Sequence, residues 1–237
     1  MALRPLRLVW GIYAWLLILP TLLLVALPLL VLPTLHQRRR VARLACRGYF
    51  LLSGLPAHTI GMGLLPPGPC IVVANHASYL DGPLLFATLP PRFGFVIKKE
   101  AAGIPLAGLL LQRLGHRFVD RFNRHEGAND ARRILRAVAQ GDSIAFFPEG
   151  TFSAQTGIAR FHTGAFVTAA RAGVPVVPVV IRGTRSVLRA KTLLPRWSRL
   201  EVEALEPFAA MPGADRAASI RDAARARIAE AVGEPLL

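Results

Sequence analysis

The hydrophobic pattern of the chain changes character once, near residue 36. Residues 8–35 contain no charged side chain and include the runs Leu16-Leu17-Ile18-Leu19 and Leu22-Leu23-Leu24-Val25. As one helix at 1.5 Å per residue this stretch would reach roughly 42 Å, beyond the ~30 Å hydrocarbon core of a bilayer. Pro20, Pro28 and Pro33 would kink or break it. The pattern predicts a membrane anchor, either a tilted, kinked span or a two-helix hairpin dipping into one leaflet. Basic residues stand on both flanks, Arg4 and Arg7 before it and Arg38, Arg39, Arg40, Arg43 and Arg47 after it. The denser cluster assigns the following side to the cytoplasm, while charge on both sides favours the hairpin. The run exceeds the apolar segment of a cleaved signal peptide, lacks an A-x-A-like site and is followed by that basic cluster.

From residue 41 the apolar runs become short and alternate with polar segments. Residues 41–54 alternate arginine with apolar positions and predict a helix lying on the membrane or on the domain, ended by Gly54 and Pro56. Residues 61–68 read as a hairpin or loop; no helix can follow Pro66-Pro67, so the glycines there are not a dinucleotide fingerprint. Strands are predicted over 70–74, 93–98, 116–119, 143–147, 174–181 and 200–205, and helices over 104–114, 126–139, 163–172 and 214–232. In the helix over 126–139, Ile134, Leu135 and Val138 share one face, Arg132, Arg133 and Arg136 are more exposed, and Gly141 lies just past the end. The strands are continuously apolar, as in a sheet covered on both faces. The expected fold is therefore α/β, with a largely parallel central sheet flanked by helices and an N-terminal anchoring helix or helical hairpin. The division expected is an anchor with its basic flank over 1–40, an amphipathic helix and connector over 41–69, and a catalytic domain over 70–237.

Composition narrows the partners. The formal charge is +15 on a chain that is 53% hydrophobic and 8% aromatic. That pairing points to an anionic membrane surface and away from nucleic acid, for which neither stacking aromatics nor a zinc-finger or helix-turn-helix spacing is present. Cys46 and Cys70 lie in apolar settings and read as buried, unpaired thiols. The histidines are scattered, with no second histidine at ligand spacing from His125-Glu126, so no metal is expected.

Two apolar strands end in polar clusters. The first is Asn75-His76-Ala77-Ser78-Tyr79-Leu80-Asp81, directly after Ile71-Val72-Val73-Ala74. Residues five apart on a regular helix point about 140° away from each other, so His76 and Asp81 can meet only if His76 stays in the loop while Asp81 enters the first turn of a helix. Ser78 is the candidate N-cap of that helix. The carboxylate would then hold one imidazole nitrogen and leave the other as a base able to activate a hydroxyl. The competing reading makes Asp81 a turn residue and His76 a satisfied polar group. The second cluster is Phe146-Phe147-Pro148-Glu149-Gly150-Thr151, in which Gly150 permits close approach to backbone, Thr151 offers a hydroxyl and Glu149 can hold a hydroxyl or a cation. Between them lie Lys98-Lys99-Glu100 and the segment from Gly115 to Arg121, with side chains suited to phosphate.

In order and spacing these clusters resemble the glycerolipid acyltransferase family that includes bacterial 1-acylglycerol-3-phosphate acyltransferase. His76 to Asp81 is similar to its HxxxxD box, Gly115 to Arg121 to its second block, Phe147 to Thr151 to its FPEGT block, and Val174 to Pro178 to its valine-proline block. The resemblance spans roughly residues 70–185, and Lys98-Lys99-Glu100 and Phe161-His162-Thr163-Gly164 also look like family positions. It implies that His76 deprotonates a lyso-lipid hydroxyl, that Asp81 orients the imidazole, and that the hydroxyl attacks an acyl thioester with no covalent acyl-enzyme. The absence of a G-x-S-x-G elbow agrees. It further implies Arg121, Glu149, Gly150 and Thr151 as acceptor contacts and Lys98 as a weaker phosphate contact. Asn75 and Ser78, within the first cluster, join them as candidate substrate contacts, and residues 174–178 are expected to be scaffold.

Two departures bear on the acceptor. Phe152 stands where the family often has a basic residue, and His162 replaces a lysine of the later F-x-x-G turn, with Arg160 a possible substitute. The expected activity is acyl transfer to 1-acylglycerol-3-phosphate, giving phosphatidate, with acyl-CoA or acyl-carrier protein as co-substrate and no other cofactor. The expected location is the cell membrane with the catalytic domain on the cytoplasmic face. The alternatives are an acyltransferase for another lyso-lipid, such as a lyso-aminolipid or lysophospholipid, a hydrolase releasing free fatty acid, or a non-catalytic basic membrane-binding protein.

Overall fold

The apolar N-terminal run is helical, with one interruption. The computed structural model describes residues 3–120, 124–209 and 214–237, and within it α1 (Leu3–Leu16) and α2 (Ile18–Val31) follow one another through a single turn residue, Leu17. Pro20 has no N–H to give the preceding turn, which leaves the carbonyl of Leu16 without its helical donor there. Pro28 lies inside α2 without ending it. Of the two arrangements expected for residues 8–35, a span or a hairpin within them, the hairpin is instead formed between this helical stretch and α3 (Leu35–Leu52), which Thr34 starts with a capping box: its hydroxyl accepts from Gln37 N at 3.3 Å while Gln37 Oε1 accepts from Thr34 N at 3.4 Å. The stretch Leu6–Val31, 26 residues, is long and apolar enough to cross a membrane. Its outer face leaves Leu8, Ile12, Leu16, Leu19, Leu23 and Leu27 exposed.

The basic flank is not purely a solvated one. Arg39 is buried and donates to the carbonyls of Leu114 (2.9 Å), Arg92 (2.8 Å) and Gly115 (3.4 Å). Arg38 donates to Leu32 O and Pro33 O at 2.7 and 3.0 Å. These guanidiniums satisfy carbonyls that helix ends leave without partners. They stitch the helical hairpin to the domain, so only Arg40 and Arg47 of the cluster are exposed.

The remaining elements are β1 (Ala57–Ile60), β2 (Ile71–Ala74), α4 (Asp81–Thr88), β3 (Phe93–Lys98), α5 (Ala107–Arg113), β4 (Arg117–Val119), α6 (Arg124–Ala139), β5 (Ser143–Phe146), α7 (Gly164–Ala172), β6 (Val176–Arg182), α8 (Thr184–Val187), β7 (Leu200–Ala204) and α9 (Ala214–Val232). Residues 61–68 are a loop carrying one 3-10 turn. Among the described residues the strands form one seven-stranded sheet in the order β1-β7-β6-β2-β5-β3-β4. Five strands, β6 to β4, run parallel; β7 is antiparallel to β6, and β1 pairs parallel with β7. The division expected at 40/41 falls inside α3, and β1, placed in the connector, is an edge strand of the sheet.

Strand alternation divides the core. Val72 and Ala74 of β2 face a layer holding Val25 and Leu29 of α2, Phe50 of α3 and Leu84 and Leu85 of α4. Ile71 and Val73 face Ile134 and Val138 of α6, Phe166 of α7 and Ile228 of α9. Both faces are covered, which is why the strands read as unbroken apolar runs. Pro175 and Pro178 are tolerated in and beside β6, where the valine-proline block serves as scaffold, each carbonyl accepting a backbone N–H, from Ile71 and Leu205 respectively.

His116, part of the second block, lies in this core and not at the site. Its Nδ1 accepts from Phe95 N at 3.2 Å, and its ring packs edge-on to Phe86 and Phe95. Burial, with a smaller contribution from the Arg39 charge, lowers its pKa to about 3. An unfolded histidine titrates near 6.5, so as pH falls below about 6.5 the unfolded state takes up a proton that the folded state refuses. Stability is therefore expected to fall through the window from about 6.5 toward 3, by about 1.4 kcal/mol per pH unit from this group. Thermal unfolding of the detergent-solubilised chain at stepped pH checks it: His116→Phe should flatten that slope while lowering stability overall, because Phe95 N loses its acceptor. An unchanged slope would rule the assignment out.

Candidate active site

The two polar clusters meet because β2 and β5 are neighbours, with Val73 opposite Phe146. Both strands run the same way, so the loops that leave them emerge together at the carboxyl edge of the sheet, where open α/β sheets bind ligands. His76 lies in the loop after β2, and Asp81 opens α4. Imidazole Nδ1 donates to Asp81 Oδ2 at 2.8 Å. The same oxygen accepts from Ala77 N at 2.6 Å and Ser78 N at 2.8 Å. Asp81 is fully buried and the His76 side chain is 18% exposed, so the carboxylate is fixed from behind and Nε2 is left toward the opening. With its proton on Nδ1, the ring presents a lone pair at Nε2.

Ser78 is not the N-cap expected for this helix. Leu80 occupies that position without a side-chain cap, because Asp81 itself reaches back to the backbone of residues 77 and 78. Ser78 is buried, donates to Leu188 O at 2.8 Å and accepts from Leu80 N at 3.2 Å. Asn75 is buried too, pairing both ways with the backbone of Ile181 at 2.9 and 2.8 Å. These two side chains, expected to touch substrate, fasten the His76 loop to the chain around β6 and α8.

Glu149 has a similar task. One carboxylate oxygen accepts from His76 N at 2.7 Å and the other from Ala159 N at 2.9 Å, so the third block holds the backbone of His76 directly. Burial pushes its carboxyl above the usual range, while those two N–H donors pull the other way. Gly150 has φ +79°, a left-handed turn that glycine adopts without penalty. Thr151 is exposed at the rim. Lys98 is exposed at the carboxyl end of β3, two residues beyond Val96 and hence on the same face of the sheet. Arg121 lies outside the described residues. Arg160 is exposed on the side of α9; Asp222 there is held low by Arg221 first and by Arg160 among its neighbours.

Aromatic rings surround the His76 imidazole, a feature the sequence alone did not assign. Phe147 stacks on the His76 ring at 4.3 Å with 22° between planes, Phe152 lies 4.6 Å from it, and Tyr79 meets Phe152 edge-on at 4.8 Å. The sequence signal was available: three aromatic residues inside or next to polar clusters of an aromatic-poor chain. Beyond Phe147 a cleft of ≈ 320 Å³ opens, walled by Val96, Val119, Pro148, Gly150, His162 and Gly164. It lies between the second and third blocks.

Comparison with known proteins agrees with this architecture. The family profile described as Acyltransferase matches residues 58–182. The chain is 34% identical over 183 residues to a 1-acyl-sn-glycerol-3-phosphate acyltransferase of Chlamydomonas reinhardtii, covering 75% of this chain and 53% of that protein. It is 34% identical over 171 residues to the 1-acyl-sn-glycerol-3-phosphate acyltransferase of Haemophilus influenzae, covering 71% and 70%. It is 36% identical over 135 residues to the lyso-ornithine lipid O-acyltransferase of Pseudomonas aeruginosa, covering 55% and 50%. The match thus spans about half the length of some of these relatives. The fold is that of the 1-acyl-sn-glycerophosphate acyltransferase PlsC from Thermotoga maritima, with a TM-score of 0.81 at 20% identity over 97% of this chain and 96% of that one. With the family profile covering more than half its length and the HxxxxD and FPEGT clusters joined at one sheet edge, the chain belongs to the acyltransferase family.

Proposed function

We propose that this protein transfers a fatty acyl group from an acyl thioester to the free hydroxyl of a lyso-lipid, with 1-acylglycerol-3-phosphate as acceptor and phosphatidate as product. The observation that carries the reading is the 2.8 Å contact of His76 Nδ1 with a buried Asp81, which leaves Nε2 as a base. Nε2 takes the hydroxyl proton as the oxygen attacks the thioester carbonyl carbon. The C–S bond of the tetrahedral adduct then breaks, and the imidazolium returns the proton to the leaving sulfur. His76, Asp81 and the held loop suffice for this, and no protein nucleophile takes part. The cleft beside Phe147 receives the acceptor head between the second and third blocks. Acyl-CoA or acyl-carrier protein is the donor, and the catalytic edge lies at the cytoplasmic face of the cell membrane. The basic surface suits the anionic head and either donor.

A second acceptor class is favoured by Phe152. Where a basic side chain could pair with phosphate, an aromatic ring packs on the base, so a lyso-lipid without a phosphate at that place, such as a lyso-aminolipid, fits the site. Transfer from labelled acyl-CoA and acyl-carrier protein to a panel of lyso-lipids by the purified, detergent-solubilised chain tests both readings. Phe152→Arg should raise kcat/KM for lysophosphatidate relative to a lyso-aminolipid by about tenfold, the scale of one hydrogen bond to a charged group. An unchanged ratio removes Phe152 as the determinant. Free fatty acid released without acceptor would mark a hydrolase, and no turnover with any donor would mark a binding protein.

A further inference from the structure

We propose that the loop over residues 189–197 is a second membrane-contacting element, which seats the catalytic edge on an anionic phospholipid surface next to the point where the apolar N-terminal helix meets the bilayer.

The loop follows α8 at the carboxyl end of β6, the same edge of the sheet as His76. Its tip is apolar and open: Leu193 is 83% exposed, Leu194 41% and Trp197 65%. Leucine at such exposure in an irregular segment is unfavourable in water and suits the headgroup boundary, where tryptophan also concentrates. Around the tip stand Arg189, Lys191, Arg196 and Arg199, all exposed, and residues 183–200 contain no acidic side chain. An apolar tip ringed by cations matches a surface that is apolar inside and anionic outside.

The same loop joins the two parts of the molecule that a bilayer substrate requires. On one side it holds α1: Trp15 Nε1 donates to Leu193 O at 2.6 Å, and the Leu194 side chain sits so close to Gly11 that a Cβ there would approach Leu194 Cδ1 to 2.6 Å. Trp197 Nε1 donates to Gly54 O, just past α3, at 2.8 Å. On the other side Ser78 Oγ donates to Leu188 O at 2.8 Å, within the His76–Asp81 turn. The exposed apolar face of α1 is therefore continuous with the loop tip, and the loop leaves Leu188, whose carbonyl is held by the turn that carries Tyr79, itself 65% exposed. A surface lying against α1 and the loop brings lipid heads to the mouth beside His76.

The inference rests on the lyso-lipid reading for its purpose, and its first test does not depend on turnover. The full chain carrying Leu193→Cys, labelled there with an environment-sensitive fluorophore and corrected with the labelled wild type, is reconstituted into vesicles of phosphatidylcholine alone or with phosphatidylglycerol. A several-fold rise and blue shift in emission, quenched by nitroxide lipids, is expected with phosphatidylglycerol and much weaker without it. Emission typical of water in both vesicles overturns the proposal, and equal burial in both overturns its anionic part. Arg189→Gln, Lys191→Gln and Arg196→Gln combined should abolish the difference between vesicles while α1 and α2 keep the chain attached. The same triple variant should raise KM for vesicle-borne acceptor by up to about 10²-fold, at ~1 kcal/mol per cation removed, and leave turnover of a water-soluble short-chain acceptor unchanged. Equal losses on both acceptors would assign the three cations to the site itself and refute the docking role.

Discussion

Replacing His76 by alanine is expected to lower kcat for acyl transfer by about 10³-fold, inside the roughly 10²–10⁴ that a positioned general base contributes. The acceptor hydroxyl is a poor nucleophile until its proton leaves, and among the described groups of the site the Nε2 lone pair, set by the 2.8 Å bond from Nδ1 to Asp81, is the base the geometry presents. The substitution removes an 18% exposed ring from the rim and keeps the backbone N–H that Glu149 accepts at 2.7 Å, so the fold and the vesicle attachment through α1 and α2 should persist. The measurement is single-turnover acyl transfer at saturating donor together with co-sedimentation. Full activity in the variant would eliminate the base mechanism, and lost attachment would mean that the variant reports folding.

Asp81→Asn is expected to reduce kcat by about 10²-fold or more with KM nearly unchanged. The carboxylate does two things at once. It accepts the imidazole N–H, which selects the tautomer with Nε2 free and stabilises the positive ring that forms when Nε2 takes a proton. It also accepts the backbone N–H of Ala77 and Ser78 at 2.6 and 2.8 Å. Asparagine keeps an oxygen for those donors and loses the charge, so it isolates the electrostatic part. Asp81→Ala would leave buried N–H groups unpaired, at about 1–3 kcal/mol each, and is expected to destabilise as well. A thermal midpoint for the Asp81→Asn variant near that of the wild type, with kcat reduced, separates catalysis from scaffold; a fall in KM-dependent binding alone would contradict the assigned role.

The polar residues that support the two clusters show where sequence reasoning stops. Glu149, Asn75 and Ser78 are polar residues at strand ends, and polarity at such places reads equally as ligand contact or as support. Their partners decide: His76 for Glu149, Ile181 for Asn75 and Leu188 for Ser78 lie far along the chain, and Ala159, also held by Glu149, lies ten residues on. In the same way Arg39 reads as one member of a basic flank until the carbonyls of Arg92, Leu114 and Gly115 are seen around it. Phe152 is visible in the sequence as a departure from a motif, but its contact with the His76 ring is not.

What the amino-acid order determined alone is what depends on near neighbours. Periodicity and glycine and proline placement located the apolar N-terminal helix, the buried strands and the helices between them, and the five-residue spacing of His76 and Asp81 allowed the two to meet only across a loop leading into a helix. Tertiary structure alone decided the rest. The order β1-β7-β6-β2-β5-β3-β4 made β5 the neighbour of β2, brought Glu149 to the backbone of His76 and set β7 and β1 opposite to the others, and the apolar helix packs back along α3. The physical reason is that local conformational preference acts over a few residues, whereas strand adjacency is chosen by which apolar faces can be buried together, and residues such as Val73 and Phe146 carry no local sign of that choice.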